Sequence, residues 1–282
     1  MRFLLPAAEA VYTSVNAMRR WFYRRGILRP RRLPRPVVSI GNIAAGGTGK
    51  TPAVIALANE LSRRGASVAV LTRGYGRRGP SAGGLVTGPD ADRFGDEPVV
   101  IKNRTKNVNV IVGKYRYKNA MKFLNDNPCD VFILDDGFQH LQLARDLDIV
   151  IEAPSSFYRE RRSALADAGL VVPRRIRVTI PEPVRGRRAF AFAGLADTGQ
   201  FFDSIRDAGL EVRGTMTFPD HHRYAAADLR RIEDAAAAAG AEVIVTTEKD
   251  AVKLDRGDLV PIPAEFVFDQ AVIERVAALV GR

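Results

Sequence analysis

The 282-residue sequence has one cysteine, Cys129, one tryptophan and three histidines. A lone cysteine forms no intrachain disulfide, so the fold rests on its core rather than on covalent staples. His140, His221 and His222 lack the spacings of a zinc site, and a zinc centre built on them is not expected. Long apolar runs are also missing: none approaches the roughly 18–20 residues a membrane-spanning helix needs. Ala8-Glu9-Ala10 resembles a signal-peptidase site, but the apolar stretch before it is too short for a signal peptide. Glycine and proline are scattered, which argues against a fibrous or disordered chain. The 46% hydrophobic content supplies one large domain or two modest ones.

Acid is nearly absent from residues 1–36, which hold nine arginines and only Glu9, and so carry +8 of the net +11. A basic arm is thus joined to a nearly balanced body. Within the arm Val11, Val15, Met18 and Phe22 share one helical face, flanked by Trp21, Tyr23 and arginines. Such a helix suits an anionic bilayer surface, or equally a dock on the protein's own core. No nucleic-acid-binding module is visible, and nucleic acid is the weakest reading of the charge.

The body alternates strands and helices. Strands are expected at 37–40, 67–72, 108–112, 130–136 and 147–151, with helices at 51–64 and 115–124 and a loop over 77–95. A second set has strands at 188–192, 214–218 and 242–246 and helices at 200–208, 225–239 and 271–279. Prolines cluster between 154 and 183. The pattern predicts an α/β fold, an α/β/α sandwich of the P-loop NTPase kind with a mostly parallel sheet, plus a smaller second α/β domain. The expected division is an amphipathic helix at 1–28, a nucleotide-binding domain at 29–152 and a smaller domain at 153–282. The last helix is a candidate to pack back on the first domain.

The richest stretch is Ala44-Ala45-Gly46-Gly47-Thr48-Gly49-Lys50-Thr51, between a strand and a helix. A glycine-rich turn there cradles phosphate with backbone N–H groups and the positive end of the helix. Lys50 would reach the β/γ-phosphates and Thr51 would bind Mg²⁺. Ala44 stands where the strict pattern has glycine. Ala45 replaces the signature lysine of deviant P-loop partitioning ATPases. An apolar strand ending in Asp135-Asp136 reads as the carboxylate partner of that loop, because two adjacent carboxylates at a strand end call for a cation.

Transfer of phosphate to a hydroxyl also needs a proton acceptor. Asp96 and Glu97 are candidates, and so is the Asp220-His221-His222 turn, which could face the phosphate loop across a cleft. On the residues alone that turn reads first as an exposed one. Arg73, Arg116 and Arg159 are candidate phosphate clamps. Thr247-Glu248-Lys249-Asp250 either caps a helix or lines a nucleotide site.

Taken in order, the motifs resemble one family. They are Gly41-Asn42 with Gly46 to Pro52, Arg73-Gly74-Tyr75-Gly76, Gly95-Asp96-Glu97-Pro98 and Val112-Gly113-Lys114. Asp135-Asp136-Gly137-Phe138-Gln139-His140, Arg145-Asp146-Leu147, Phe218-Pro219-Asp220-His221 and Thr247 to Lys253 complete the set. Over residues 37–255 the chain is similar to the tetraacyldisaccharide 4′-kinases of lipid A biosynthesis. The resemblance implies an ATP- and Mg²⁺-dependent kinase on the cytoplasmic face of the bacterial inner membrane. Its acceptor would be the 4′-hydroxyl of an acylated disaccharide 1-phosphate and its product lipid IVA, with an anionic membrane surface as partner and no obligate protein partner inferred. It implies Asp96 as base supported by His221, and Lys50 acting on the phosphates. ATP contacts would come from residues 44–51, Arg159, Glu248 and Lys249. Metal contacts would come from Thr51, Asp135, Asp136 and Glu160. The chain departs from the family at 151–160, where the Leu-Pro-x-Gly part is missing and only Arg159-Glu160 matches the closing Arg-Glu pair. Two other readings remain on the motifs: a P-loop switch or assembly ATPase, which Ala45 disfavours in its commonest form, and a soluble small-molecule kinase, which the basic arm disfavours.

Overall fold

The computed structural model describes residues 4–44, 47–78, 83–152, 158, 162–254 and 256–281. The arm is one helix, α1 (Leu4–Arg24). The first lobe then runs β1 (Val37–Gly41), α2 (Lys50–Arg63), β2 (Val68–Thr72), β3 (Gly84–Leu85), α3 (Ala91–Phe94), α4 (Asp96–Arg104), β4 (Val108–Val112), α5 (Arg116–Asp126), β5 (Val131–Asp135), β6 (Leu147–Glu152) and β7 (Leu170–Pro173). Its sheet has the order β3-β4-β2-β5-β1-β6-β7 and is parallel except for the edge strand β3. Strands β1, β2 and β5 are buried along their whole length, because a parallel sheet is covered on both faces. Their side chains alternate between two layers. Val38, Ile40 and Ile133 pack with Val54, Leu57 and Leu61 of α2. Val37, Phe132 and Leu134 pack with Phe123 of α5.

The second lobe holds β9 (Arg188–Ala193), α6 (Thr198–Asp207), β10 (Glu211–Thr217), α7 (Ala226–Ala238), β11 (Val243–Thr247), α8 (Glu248–Ala251) and β12 (Leu259–Ile262), following β8 (Ile176–Val178). The four strands β10-β9-β11-β12 form a parallel sheet. Alanines of β9 face Phe202 and Ile205 of α6, while Phe190 and Phe192 face Ile232 of α7. The chain enters this lobe through β8 and leaves through β13 (Ala264–Phe266), and these two strands pair antiparallel as a separate ribbon. The last helix, α9 (Gln270–Val280), returns to the first lobe. Its Val272, Ile273 and Val276 join the core under α2, and Arg64 holds Glu274 at 2.8 Å.

The structure departs from the sequence expectations in three places. Residues 77–95, expected as loop, contain β3 and α3. Residues 96–104, for which no element was expected, form α4 with Asp96 in its first turn. The first sheet also takes its seventh strand from residues past 152. The arm does dock on the body, but through its polar face. Its apolar face points outward, with Val11 65% and Met18 53% exposed, while Thr13, Asn16 and Arg20 are buried against the body. Arg20 lies 4.1 Å over the ring of Phe138, donates to the Phe138 carbonyl at 3.0 Å and pairs with Asp167.

Candidate active site

The phosphate loop leaves the C-terminal end of β1, an interior strand between β5 and β6, where the strand order reverses and parallel sheets open a crevice. Gly49, at φ +84°, caps α2, and a Cβ on it would stand 2.8 Å from Ile176 of the inter-lobe ribbon. The positive φ favours glycine, and any side chain there would also have to push back the tip of Ile176. Asn42 organises the loop from below: its Nδ2 donates to Thr48 Oγ1 at 2.7 Å, and its Oδ1 accepts from Lys50 Nζ at 3.2 Å. Lys50 Nζ also faces Asp136 at 3.5 Å. Thr51 is half-buried in the first turn of α2. Ala44 is buried and bridges to Tyr158. Ala45, Gly46, Arg159 and Glu160 lie outside the described residues, so their expected contacts are not placed.

Asp135 closes β5, and its carboxylate accepts from Thr72 Oγ1 at 2.8 Å. Burial, then the charges of Glu97 and Asp136, push its pKa well above the ordinary carboxylate range; the Thr72 hydrogen bond and Lys50 pull the other way. Asp136 follows at φ +48°, a left-handed turn that an aspartate tolerates.

Across the cleft, Asp96 Oδ2 meets His221 Nδ1 at 3.0 Å, and Asp96 Oδ1 accepts from the Glu97 amide at 2.9 Å. Burial opposes ionisation of Asp96, but the His221 hydrogen bond, the charge of Lys249 and the Glu97 amide outweigh it and leave its pKa below the ordinary value. The same hydrogen bond raises His221, against burial and Lys249. His221 sits at φ +58°, its amide donates to Asp220 Oδ1, and the Tyr75 ring lies 4.9 Å away. The structure therefore brings the Asp220-His221 turn onto α4 rather than leaving it exposed. Lys249 Nζ reaches Asp220 at 3.0 Å, His221 Nε2 at 3.3 Å and Glu97 at 3.5 Å. Glu248 is held by Arg104 at 2.7 Å. Asp250, fully buried, accepts from Thr247 Oγ1, the Gly194 amide and Lys253, which pins the start of α8.

Between the lobes lies a cleft of about 730 Å³ bordered by Lys50, Glu97, Asp135, Asp136, His221 and Lys249. Beside the phosphate loop a second cavity of about 230 Å³ has apolar walls from Ile176, Val178, Leu195, Phe201 and Ile262. These walls come from widely separated elements, and no local sequence signal announces them. Asn42 and Thr72 were equally unassigned; their positions at the ends of β1 and β2, next to the phosphate loop and the Asp135 strand end, were the available signal. Arg116 is buried beside His140, its Nη1 3.4 Å from Nδ1. Burial and the neighbouring arginines push His140 down to about 3.

A phosphate loop at the head of a parallel sheet, an acidic strand end beside it and a carboxylate–histidine pair across a cleft define a P-loop phosphotransferase. The profile of the Tetraacyldisaccharide-1-P 4'-kinase family matches residues 1–172 and 168–280. The chain is 37% identical to the tetraacyldisaccharide 4'-kinase of Anaeromyxobacter dehalogenans strain 2CP-C, covering 89% of this chain and 81% of that one. It is 36% identical to that of Geobacter metallireducens, covering 89% and 88%. Its fold is similar to LpxK from Aquifex aeolicus, solved as an "apo" form in complex with ATP, with a TM-score of 0.79 at 26% identity over 99% of both chains. The chain belongs to the tetraacyldisaccharide 4'-kinase family.

Proposed function

We propose that this chain is the ATP-dependent kinase that phosphorylates the 4′-hydroxyl of tetraacyldisaccharide 1-phosphate, giving lipid IVA. The observation that carries the reading is the Asp96–His221 pair at 3.0 Å, whose histidine borders the same cleft as Lys50 and Asp135. A carboxylate kept ionised at the cleft wall suits a base for a sugar hydroxyl. In this reading Lys50 and the amides of residues 47–51 hold the β- and γ-phosphates. The apolar cavity beside the loop takes the nucleobase. Asp96 accepts the hydroxyl proton as the oxygen bonds to the γ-phosphorus and the bond to ADP breaks.

The donor set fits Mg²⁺. Thr51, Asp135 and Asp136 offer only oxygen, and the like charges crowding Asp135 favour a cation there. Bound there, Mg²⁺ would supply charge neutralisation on the transferring phosphate.

Among the described residues no helix is long and apolar enough to cross a membrane. The outward apolar face of α1 (Val11, Val15, Met18 and Trp21), edged by arginines, supports a peripheral attachment to an anionic bilayer, on the cytoplasmic face of the inner membrane. The test incubates the protein with γ-labelled ATP, Mg²⁺ and the tetraacyldisaccharide 1-phosphate in detergent micelles. Labelled lipid is the expected result. ATP hydrolysis with no labelled lipid would overturn the reading.

A further inference from the structure

Lys249 stands apart from the other cations of the cleft. Its ammonium is mostly buried and lies between three groups: Asp220 Oδ1 at 3.0 Å, His221 Nε2 at 3.3 Å and Glu97 Oε1 at 3.5 Å. An ammonium has donors and no acceptor. A hydrogen bond from Lys249 to Nε2 therefore requires that nitrogen to carry a lone pair. The ring's one hydrogen is then on Nδ1, aimed at Asp96 Oδ2. We propose that Lys249 is a positioning residue for phosphoryl transfer, which fixes His221 as the neutral Nδ1–H tautomer and so keeps Asp96 a carboxylate facing a neutral donor.

The inference rests on the base reading of Asp96 given above. It also explains the surroundings of Lys249. Burial works against the ammonium, but the charges of Glu97, Asp96 and Asp220 more than compensate and hold it protonated. The start of α8, which carries Lys249, is pinned by the buried Asp250 through Thr247 and Gly194, so the ammonium is delivered from a fixed point. The groups facing His221 are Asp96 from α4, Asp220 from its own turn, Lys249 from α8 and the Tyr75 ring from the loop after β2, while Glu97 of α4 faces Lys249. Among these, Lys249 is the cation that opposes a second proton on the imidazole. Without it Asp96 and Asp220 would hold His221 as imidazolium to higher pH, and Asp96 would be tied in an ion pair, a weaker base.

The experiment uses ¹⁵N-labelled full-length protein. With three histidines in the chain, the ring nitrogens can be resolved and assigned by single replacements. At pH 8 the wild-type His221 is expected as the Nδ1–H tautomer, and in Lys249→Met as Nε2–H or imidazolium. The acid limb of kcat/KM should move up by about one pH unit in Lys249→Met and return in Lys249→Arg. A wild-type Nε2–H tautomer would overturn the inference, whether or not the variants fold. So would a Lys249→Met enzyme whose tautomer and acid limb are unchanged while KM for ATP rises, since Lys249 would then serve the nucleotide. The tautomer readout needs no turnover, so it is separate from the base reading, which falls instead if Asp96→Ala retains wild-type kcat.

Discussion

Asp135 and Asp96 are almost equally buried, at 3% and 6% exposure, yet their proton affinities lean in opposite directions. Asp135 is crowded by Glu97 and Asp136 and has one neutral donor, Thr72. Asp96 has an imidazole and a backbone amide in contact and an ammonium nearby. Burial is common to both, so the difference lies in what the chain supplies around each carboxylate. The second lobe brings Asp96 a hydrogen-bond donor, His221, and a cation, Lys249. Asp135 has cations only at longer range, Lys50 and Arg116, and its charge suits a partner arriving with the nucleotide.

The most damaging change should be Asp135→Asn, with turnover lowered about 1000-fold or more and the thermal midpoint unchanged or raised, because a repelled buried charge is removed. Steady-state kinetics and thermal denaturation read both. A midpoint that falls by several degrees would break the comparison at its first term. Asp96→Asn should lower kcat by about 100- to 10,000-fold, here with a lower midpoint, because Lys249 loses a nearby countercharge. A stabilised variant would mean that the second lobe does not serve Asp96 as described.

His221→Ala should reduce stability by about 1 kcal/mol, with a definite pH dependence. The raised His221 stabilises the fold fully below its unfolded value of 6.5 and loses that contribution as pH rises through the folded value. The lowered Asp96 contributes above its unfolded value of 3.8 and loses that as pH falls through its folded value. The midpoint difference between wild type and variant should therefore be greatest between pH 3.8 and 6.5 and shrink above it. A flat difference would show that the pair is packed rather than charged. The smallest effect is expected for Thr72→Val, which removes one neutral hydrogen bond from Asp135; about a 5-fold loss of kcat, growing toward acid pH, would sharpen the contrast.

The Asp135 side of this comparison was readable in the chain, because strand, loop and helix are contiguous there: an apolar run ending in Asp135-Asp136 and a glycine turn ending in Lys50-Thr51. The Asp96 side was not readable from the residues alone. His221 lies 125 positions away and looks like an exposed turn until the second lobe carries it onto α4. The short apolar stretch after Asp96 was missed as a helix because Pro98 and the preceding glycine read as punctuation, although proline is well tolerated in a first turn. The walls of the 230 Å³ cavity were invisible for a related reason. Each is an ordinary apolar residue of its own element, and they become a surface only when the ribbon β8–β13 sets the lobes side by side.

The arm has a consequence for how this protein is dissected. Arg20 covers the ring and carbonyl of Phe138, two residues beyond Asp136, and Arg20 and Arg24 both hold Asp167. Removing residues 4–24 would strip a surface-seeking segment, but it would also uncap a fully buried phenylalanine and leave an aspartate without these two counterions. A shortened protein would thus conflate adsorption with chemistry. Point changes on the outward face, at Val15 or Met18, separate the two.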